Sequence, residues 1–129
     1  QAVSRMYNEE ASKFDGSMAI GFALLSIDKE EGTPSTAISS RMGMEATSLT
    51  RTLKTLEEKG LIIRKKNPND GRGVLIYLTD FGKQMRAQSK ETVLKFNESI
   101  RKNISEEKLQ NFIEVADIIN DLIAEKKIF

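Results

Sequence analysis

Apolar residues change their period several times along this chain, and each change marks an element. Residues 1–13 (QAVSRMYNEEASK) are polar, with apolar positions at Val3, Met6, Tyr7 and Ala11, a helix-compatible spacing without a marked start. Between residues 17 and 30 the run MAIGFALLSI is apolar on nearly every side, which predicts a buried central helix. Met, Ala and Leu, together with the length of the run, disfavour a strand there. Thr33-Pro34 then reads as a helix start, because a Thr hydroxyl caps orphan N–H groups and Pro at the first helical position sacrifices no bond. A short helix from about Pro34 to Arg41 follows, with Ala37, Ile38 and Met42 on one stripe. Gly43 supplies a turn, and the next helix (TSLTRTLKTLEEKG) places Leu49, Leu53 and Leu56 at i, i+4 and i+7 before Gly60 ends it as a left-handed cap.

Beyond Gly60 the residues turn β-rich. Leu61 to Lys66 and Val74 to Leu78 bracket the turn-forming stretch Asn67 to Gly73, which predicts a hairpin with a long tip. Thr79 caps a helix starting at Asp80, whose apolar stripe runs through Phe81, Met85, Val93, Phe96 and Ile100. Lys102-Asn103 interrupts that stripe. Ser105 with Glu106 and Glu107 restarts a helix, with Leu109, Phe112, Ile113, Ala116, Ile119 and Ile123 at steps of three and four. Helix, turn, helix and hairpin in this order spell a mainly α fold with a small β-hairpin wing, a winged helix-turn-helix between N- and C-terminal helices.

Composition narrows the chemistry. In 129 residues there is neither Cys nor His, which removes thiolate metal sites and the commonest general base. No Gly-rich phosphate loop, no GxSxG and no paired acidic motif at a strand end is present, so no enzyme activity, metal or cofactor is expected. The longest apolar stretch, Met18 to Ile27, is far short of the roughly 20 residues that span a bilayer. No membrane partner and a cytoplasmic location are expected. Gln1 in place of Met implies that native residues precede it. Net charge is only +1, yet residues 41–73 carry 8 basic and 4 acidic groups while residues 1–40 carry 3 and 6. The cationic segment coincides with the second helix and the hairpin.

On that second helix the face opposite the leucines shows Thr47, Ser48, Thr50, Arg51, Lys54 and Thr55, groups able to hydrogen-bond base edges or phosphates. The hairpin adds Arg64, Lys65, Lys66 and, at its tip, Arg72. Side chains alternate along a strand, so Lys65 and Lys66 cannot both face one partner; Arg64 and Lys66 are assigned to the DNA side. The plain alternative is a solvated helix face and solubilising edge-strand charges. A winged helix serving as a protein-interaction module without ligand control would need neither the hydroxyl-rich helix face nor the cationic tip.

Asp70-Gly71-Arg72-Gly73-Val74-Leu75-Ile76-Tyr77-Leu78-Thr79 fits the pattern DxRxxxxxLT and resembles the wing signature of the MarR (multiple antibiotic resistance regulator) family. Ile38 to Met44, Thr47 to Arg51 and Leu56 to Ile62 look like that family's helix-turn-helix, and the likeness extends over about residues 14–125. The resemblance implies one domain over residues 1–129, with a DNA-binding lobe at about 30–80 and dimerisation helices at about 1–13 and 80–127. It implies a homodimer on pseudo-palindromic double-stranded DNA, with half-sites about one helical turn apart. Arg72 would approach the minor groove, with Asp70 and Gly71 shaping the wing and Asp70 orienting a nearby Arg. It further implies a repressor released by a small aromatic or anionic effector. The wall of that site would comprise Phe14, Met18, Phe22 and Leu25, with Arg5 or Lys13 as anion partner; by spacing alone the same four residues read as core.

Overall fold

Ala23, Leu24 and Ile27 lie almost wholly out of solvent, and the first unit of the chain is packed around them. A computed structural model describes residues 1–129, the side chain of Arg72 excepted, and divides the chain into two compact units, residues 1–92 and 93–129. Within the first unit, α1 (Ala2–Ser12) turns through Asp15, which adopts a left-handed φ of 56°, into α2 (Met18–Leu25). Two side chains start α2: Asn8 accepts from the Met18 amide at 2.8 Å and Ser17 from that of Ile20 at 3.3 Å.

α2 is shorter than the apolar run that announces it. After Leu25 the chain leaves the helix, although Ile27 stays buried, because residues 26–33 form a loop closed by side chains. The Thr33 hydroxyl accepts from the Asp28 amide at 2.8 Å and donates to the Asp28 carboxylate at 3.1 Å. Arg41 donates to the Ser26 carbonyl at 2.7 Å and to Asp28 at 3.2 Å, and Arg86 donates to the Ile27 carbonyl at 3.0 Å. The helix expected from about Pro34 starts within one residue of that place, but the Thr33 hydroxyl is spent on the loop, so the Thr33-Pro34 dipeptide does not cap it. The dipeptide forms a two-residue strand, β1 (Thr33–Pro34), paired with Ile76 and Leu75, and α3 (Ser35–Met42) begins after it without a side-chain cap. At a sheet edge Pro gives up no ladder bond, which is why the dipeptide suits either role.

α3 and α4 (Ala46–Glu58) form the helix-turn-helix, followed by β2 (Ile62–Asn67) and β3 (Asp70–Leu78). The antiparallel sheet has the order β1-β3-β2. Ile62 pairs with Leu78, Arg64 with Ile76 and Lys66 with Val74; the register then jumps so that Asn67 faces Asp70. The hairpin tip is thus tighter than the seven-residue stretch expected, with only Pro68 and Asn69 in the turn and residues 71–73 bulged from β3. Asn67 accepts from the Asn69 amide at 3.0 Å, a local bond that sets the turn. The core joins Leu24, Ile27 and Ile38 to Leu49, Leu53 and Leu56 of α4 and to Leu61, Ile62, Ile76 and Leu78 around the sheet. Each such side chain contributes about 1.5–3 kcal/mol on leaving water.

α5 (Asp80–Asn103) runs into the second unit and ends where Lys102-Asn103 breaks the sequence pattern, the Asn103 side-chain Nδ2 donating to the Ser99 carbonyl at 2.8 Å. α6 (Glu106–Ala124) starts at Ser105, whose hydroxyl accepts from the Lys108 amide at 3.3 Å. No residue of α6 is buried, and Phe112, Ile113, Val115, Ile118, Ile119 and Ile123 are all exposed. Among the described residues no helix is long and apolar enough to cross a membrane.

Candidate nucleic-acid interface

The turn between α3 and α4 is built to hold its angle. Gly43 takes φ 60°, ψ 33°, a left-handed conformation that costs an L side chain free energy. Ser39 braces the turn twice: its carbonyl accepts from the Met44 amide at 3.1 Å, and its hydroxyl donates to the Met44 carbonyl at 2.8 Å. From this turn α4 buries Leu49, Leu53 and Leu56 and leaves Thr47, Ser48, Thr50, Arg51 and Lys54 exposed on the other side.

The hydroxyl of Thr50 donates to the Ala46 carbonyl at 2.9 Å and that of Thr55 to the Arg51 carbonyl at 3.2 Å, so as placed they offer an incoming partner their lone pairs and methyl groups. Arg51 and Lys54 stand without internal partners on this face. Among the described residues neither has a hydrogen-bond or ion-pair partner, and the same is true of Lys66.

The wing cations divide by strand face. Arg64 and Lys66 share the face of the buried Ile62; Lys65 lies on the other, its Nζ 5.1 Å from the centre of the Tyr77 ring. Arg64 is engaged within the chain, with Nε 3.3 Å from a Glu57 carboxylate oxygen. That Nε is buried without a hydrogen bond, and Arg64 lines a cleft of about 290 Å³ with Ser35, Thr36, Ser39, Thr50 and Val74. Gly73 is confined, since a Cβ there would stand 3.1 Å from the Asp70 carboxylate, whereas one on Gly71 would meet nothing within 4 Å. The side chain of Arg72, the tip cation expected to approach the minor groove, lies outside the described residues.

Three elements converge where α4 ends. Gly60 has φ 72° and its carbonyl accepts from the Thr79 hydroxyl at 2.6 Å. The Thr79 amide donates to the Leu61 carbonyl at 3.1 Å, and the Thr79 hydroxyl accepts from the Gly82 amide at 3.0 Å, capping α5. Lys59 reaches back to the α1–α2 turn, donating to the Asp15 carbonyl at 3.2 Å. Neither the Lys59 tie nor Glu57's hold on Arg64 is foreseen by sequence pattern, because each depends on where a turn brings two distant faces.

The residues expected to wall an effector site are not core within a single chain. Phe14 is 44% and Phe22 38% exposed; Met18 and Leu25 are half-buried on α2. Phe22 meets the buried Tyr7 edge-on, ring centres 5.5 Å apart, and burial pushes the Tyr7 hydroxyl above its ordinary pKa. Of the two proposed anion partners, Lys13 is paired with Glu10 at 2.8 Å, and Arg5 has no partner among the described residues. Charge elsewhere serves the loop before β1. The Thr33 hydroxyl and then Arg41 hold the Asp28 carboxyl below the usual carboxylate range, and Lys83, at 3.0 Å, does the same for Glu30. Among the described residues no group of three or more carboxylates is placed to hold a metal.

A braced helix-turn-helix, a second helix with a polar outer face, and an antiparallel wing following it define a winged helix-turn-helix regulator. Residues 17–74 match the family model for the MarR family. SarZ of Staphylococcus aureus, an HTH-type transcriptional regulator, is 30% identical over 121 residues, 93% of this chain and 76% of SarZ. The chain belongs to the MarR family of transcriptional regulators. YdgJ of Bacillus subtilis, another HTH-type transcriptional regulator, is 32% identical over 78 residues, 60% of this chain and only about half (48%) of YdgJ. Among solved structures, a mutant of MarR from E. coli in complex with operator DNA superposes with a TM-score of 0.79 at 27% identity, over 90% of this chain and 84% of that one.

Proposed function

We propose that this protein is a sequence-specific double-stranded DNA-binding repressor that acts as a homodimer and is released by a small aromatic or anionic effector. The observation that carries the DNA-binding part is the outer face of α4, where Arg51 and Lys54 stand exposed and without partners among Thr47, Ser48 and Thr50. Cations kept free of internal pairing on a hydroxyl-rich helix suit phosphate contact and major-groove readout. Lys66, Arg72 and, behind Glu57, Arg64 extend the same charge along the wing. The operator complex of E. coli MarR supports carrying this geometry to the present chain.

In this reading residues of about 30–80 meet DNA, while helices at about 1–13 and 80–127 hold two copies together. Support for the dimer comes from α6, which has no buried residue and exposes Phe112, Ile118 and Ile123. The half-exposed Phe14 and Phe22, with Met18 and Leu25, supply apolar wall for an effector. Such a molecule acts only by preferring a lobe spacing that does not fit DNA.

Selection of bound fragments from random duplex DNA, followed by shift assays at several salt concentrations, tests the reading. The expected outcome is a two-fold symmetric site with half-sites about 10 bp apart and a steep fall of log K with log salt. Recovery of no enriched site would overturn it. A promoter carrying the selected site, fused to a reporter, should be silenced by the protein and relieved by salicylate-like compounds; relief by none of them would remove that effector class.

A further inference from the structure

We infer that Thr79 is a positioning residue for the DNA-binding face, fixing the angle at which α4 and the wing are presented. The inference rests on the proposed DNA-binding function. Thr79 lies on none of the surfaces assigned to DNA, yet three elements meet at it. Its hydroxyl has one proton, and that proton is given to the Gly60 carbonyl at 2.6 Å, just past the end of α4. The oxygen therefore meets the Gly82 amide, at 3.0 Å, as an acceptor, which starts α5. The Thr79 amide holds the Leu61 carbonyl at 3.1 Å, and the Leu61 amide is bound to the Leu56 carbonyl at 2.9 Å, leading back into α4.

The junction is close-packed as well as bonded. A Cβ built on Gly82 would lie 1.9 Å from the Leu61 carbonyl oxygen, so the first turn of α5 presses on the turn that joins α4 to the wing. Leu61 and Ile62 on that turn are 3% and 1% exposed, which leaves it little room to shift. A helix cap alone needs only an acceptor. Here the donor half of the hydroxyl is spent on Gly60, just past the end of α4, and only Ser or Thr supplies donor and acceptor from a single oxygen on a short side chain. Rotation of α4 against the start of α5 would strain the Gly60 bond.

The test separates positioning from direct DNA binding and from folding. Thr79→Val keeps the shape and removes both hydroxyl bonds; Thr79→Ser keeps both. For Thr79→Val we expect affinity about tenfold lower on every operator variant, with an unchanged salt slope because the cations that neutralise phosphates are all retained. Thr79→Ser should stay within about twofold of the parent. The chain has no native Cys, so Glu58→Cys with Gln84→Cys admits a pair of spin labels reporting the α4–α5 distance without DNA, after dilution with unlabelled chain. That distribution should be narrow in the parent and in Thr79→Ser, and broadened or displaced in Thr79→Val at a temperature where circular dichroism shows full helix. Should Thr79→Val not fold, Thr79→Asp replaces it for the distance measurement, since a carboxylate caps α5 but has no proton for Gly60. A parent-like distribution in the variant lacking the Gly60 bond overturns the inference, as does parent-like affinity, or a Thr79→Ser protein as impaired as Thr79→Val. If the distances behave as expected and no version of the protein binds DNA, the pin stands and the proposed function falls.

Discussion

Arg51 is exposed and unpaired on α4, so its removal should be felt in binding and not in folding. Arg51→Ala is expected to cost about 1–3 kcal/mol per bidentate base contact and to relax discrimination at one matching base pair, read from a panel of single-base operator variants. Arg72→Ala should weaken binding to most sequences alike and lower the salt slope by about 0.9 for each phosphate the side chain had neutralised. Arg64→Ala should change that slope less than Arg72→Ala, because Glu57 already offsets its charge at 3.3 Å; an equal change would show that Arg64 leaves Glu57 on the DNA. At this scale the sequence is legible where a residue's surroundings follow from its own helix, as for Thr47, Arg51 and Lys54 opposite the leucine stripe. It is not legible where another element decides. Arg64 and Lys66 share a strand face, and only the approach of α4 determines that one is held and the other is not. Phe22 is the opposite case: helical spacing marks it as apolar, and nothing local says whether this chain covers it.

The loop between α2 and α3 shows what a turn signal omits. Thr33-Pro34 reads as a helix start because the deciding partners, Ile76 across the sheet and Asp28 across the loop, are not visible in the dipeptide. The helices, their order and the hairpin are legible because each has its own period and its own terminator, Gly43 and Gly60 among them. The shape of the wing tip is not, since the jump in register at Lys66/Asn67 is a pairing property. For the loop, a carboxyl held below its ordinary pKa of 3.8 favours the fold only while it is ionised in the native state. The stabilisation from Asp28 is therefore complete above the ordinary carboxylate value and is lost as pH falls through the lowered native value. Asp28→Asn should melt below the parent near neutral pH, with the gap between the two melting curves narrowing as the solution is acidified below about pH 4. A gap independent of pH would mean that Asp28 acts through shape and not through charge.

Over the whole chain, burial is distributed unevenly: the core residues all fall within residues 1–92, while α6 has no buried residue at all. Under the proposed dimer that imbalance makes thermal stability depend on protein concentration, and the melting temperature should rise over a hundredfold dilution series read from dilute to concentrated. Ile119→Asp, placed on the exposed face of α6, should remove the rise and leave monomer or aggregate in sedimentation; an unshifted dimer would show that α6 is not the seam. For a cell, the proposed dimer would turn gene dosage into a threshold. Below the concentration at which two chains meet, each molecule displays the apolar surface that chaperones and proteases select, so halving synthesis removes more than half of the working regulator. A promoter under its control would then respond to changes in expression level more steeply than in proportion.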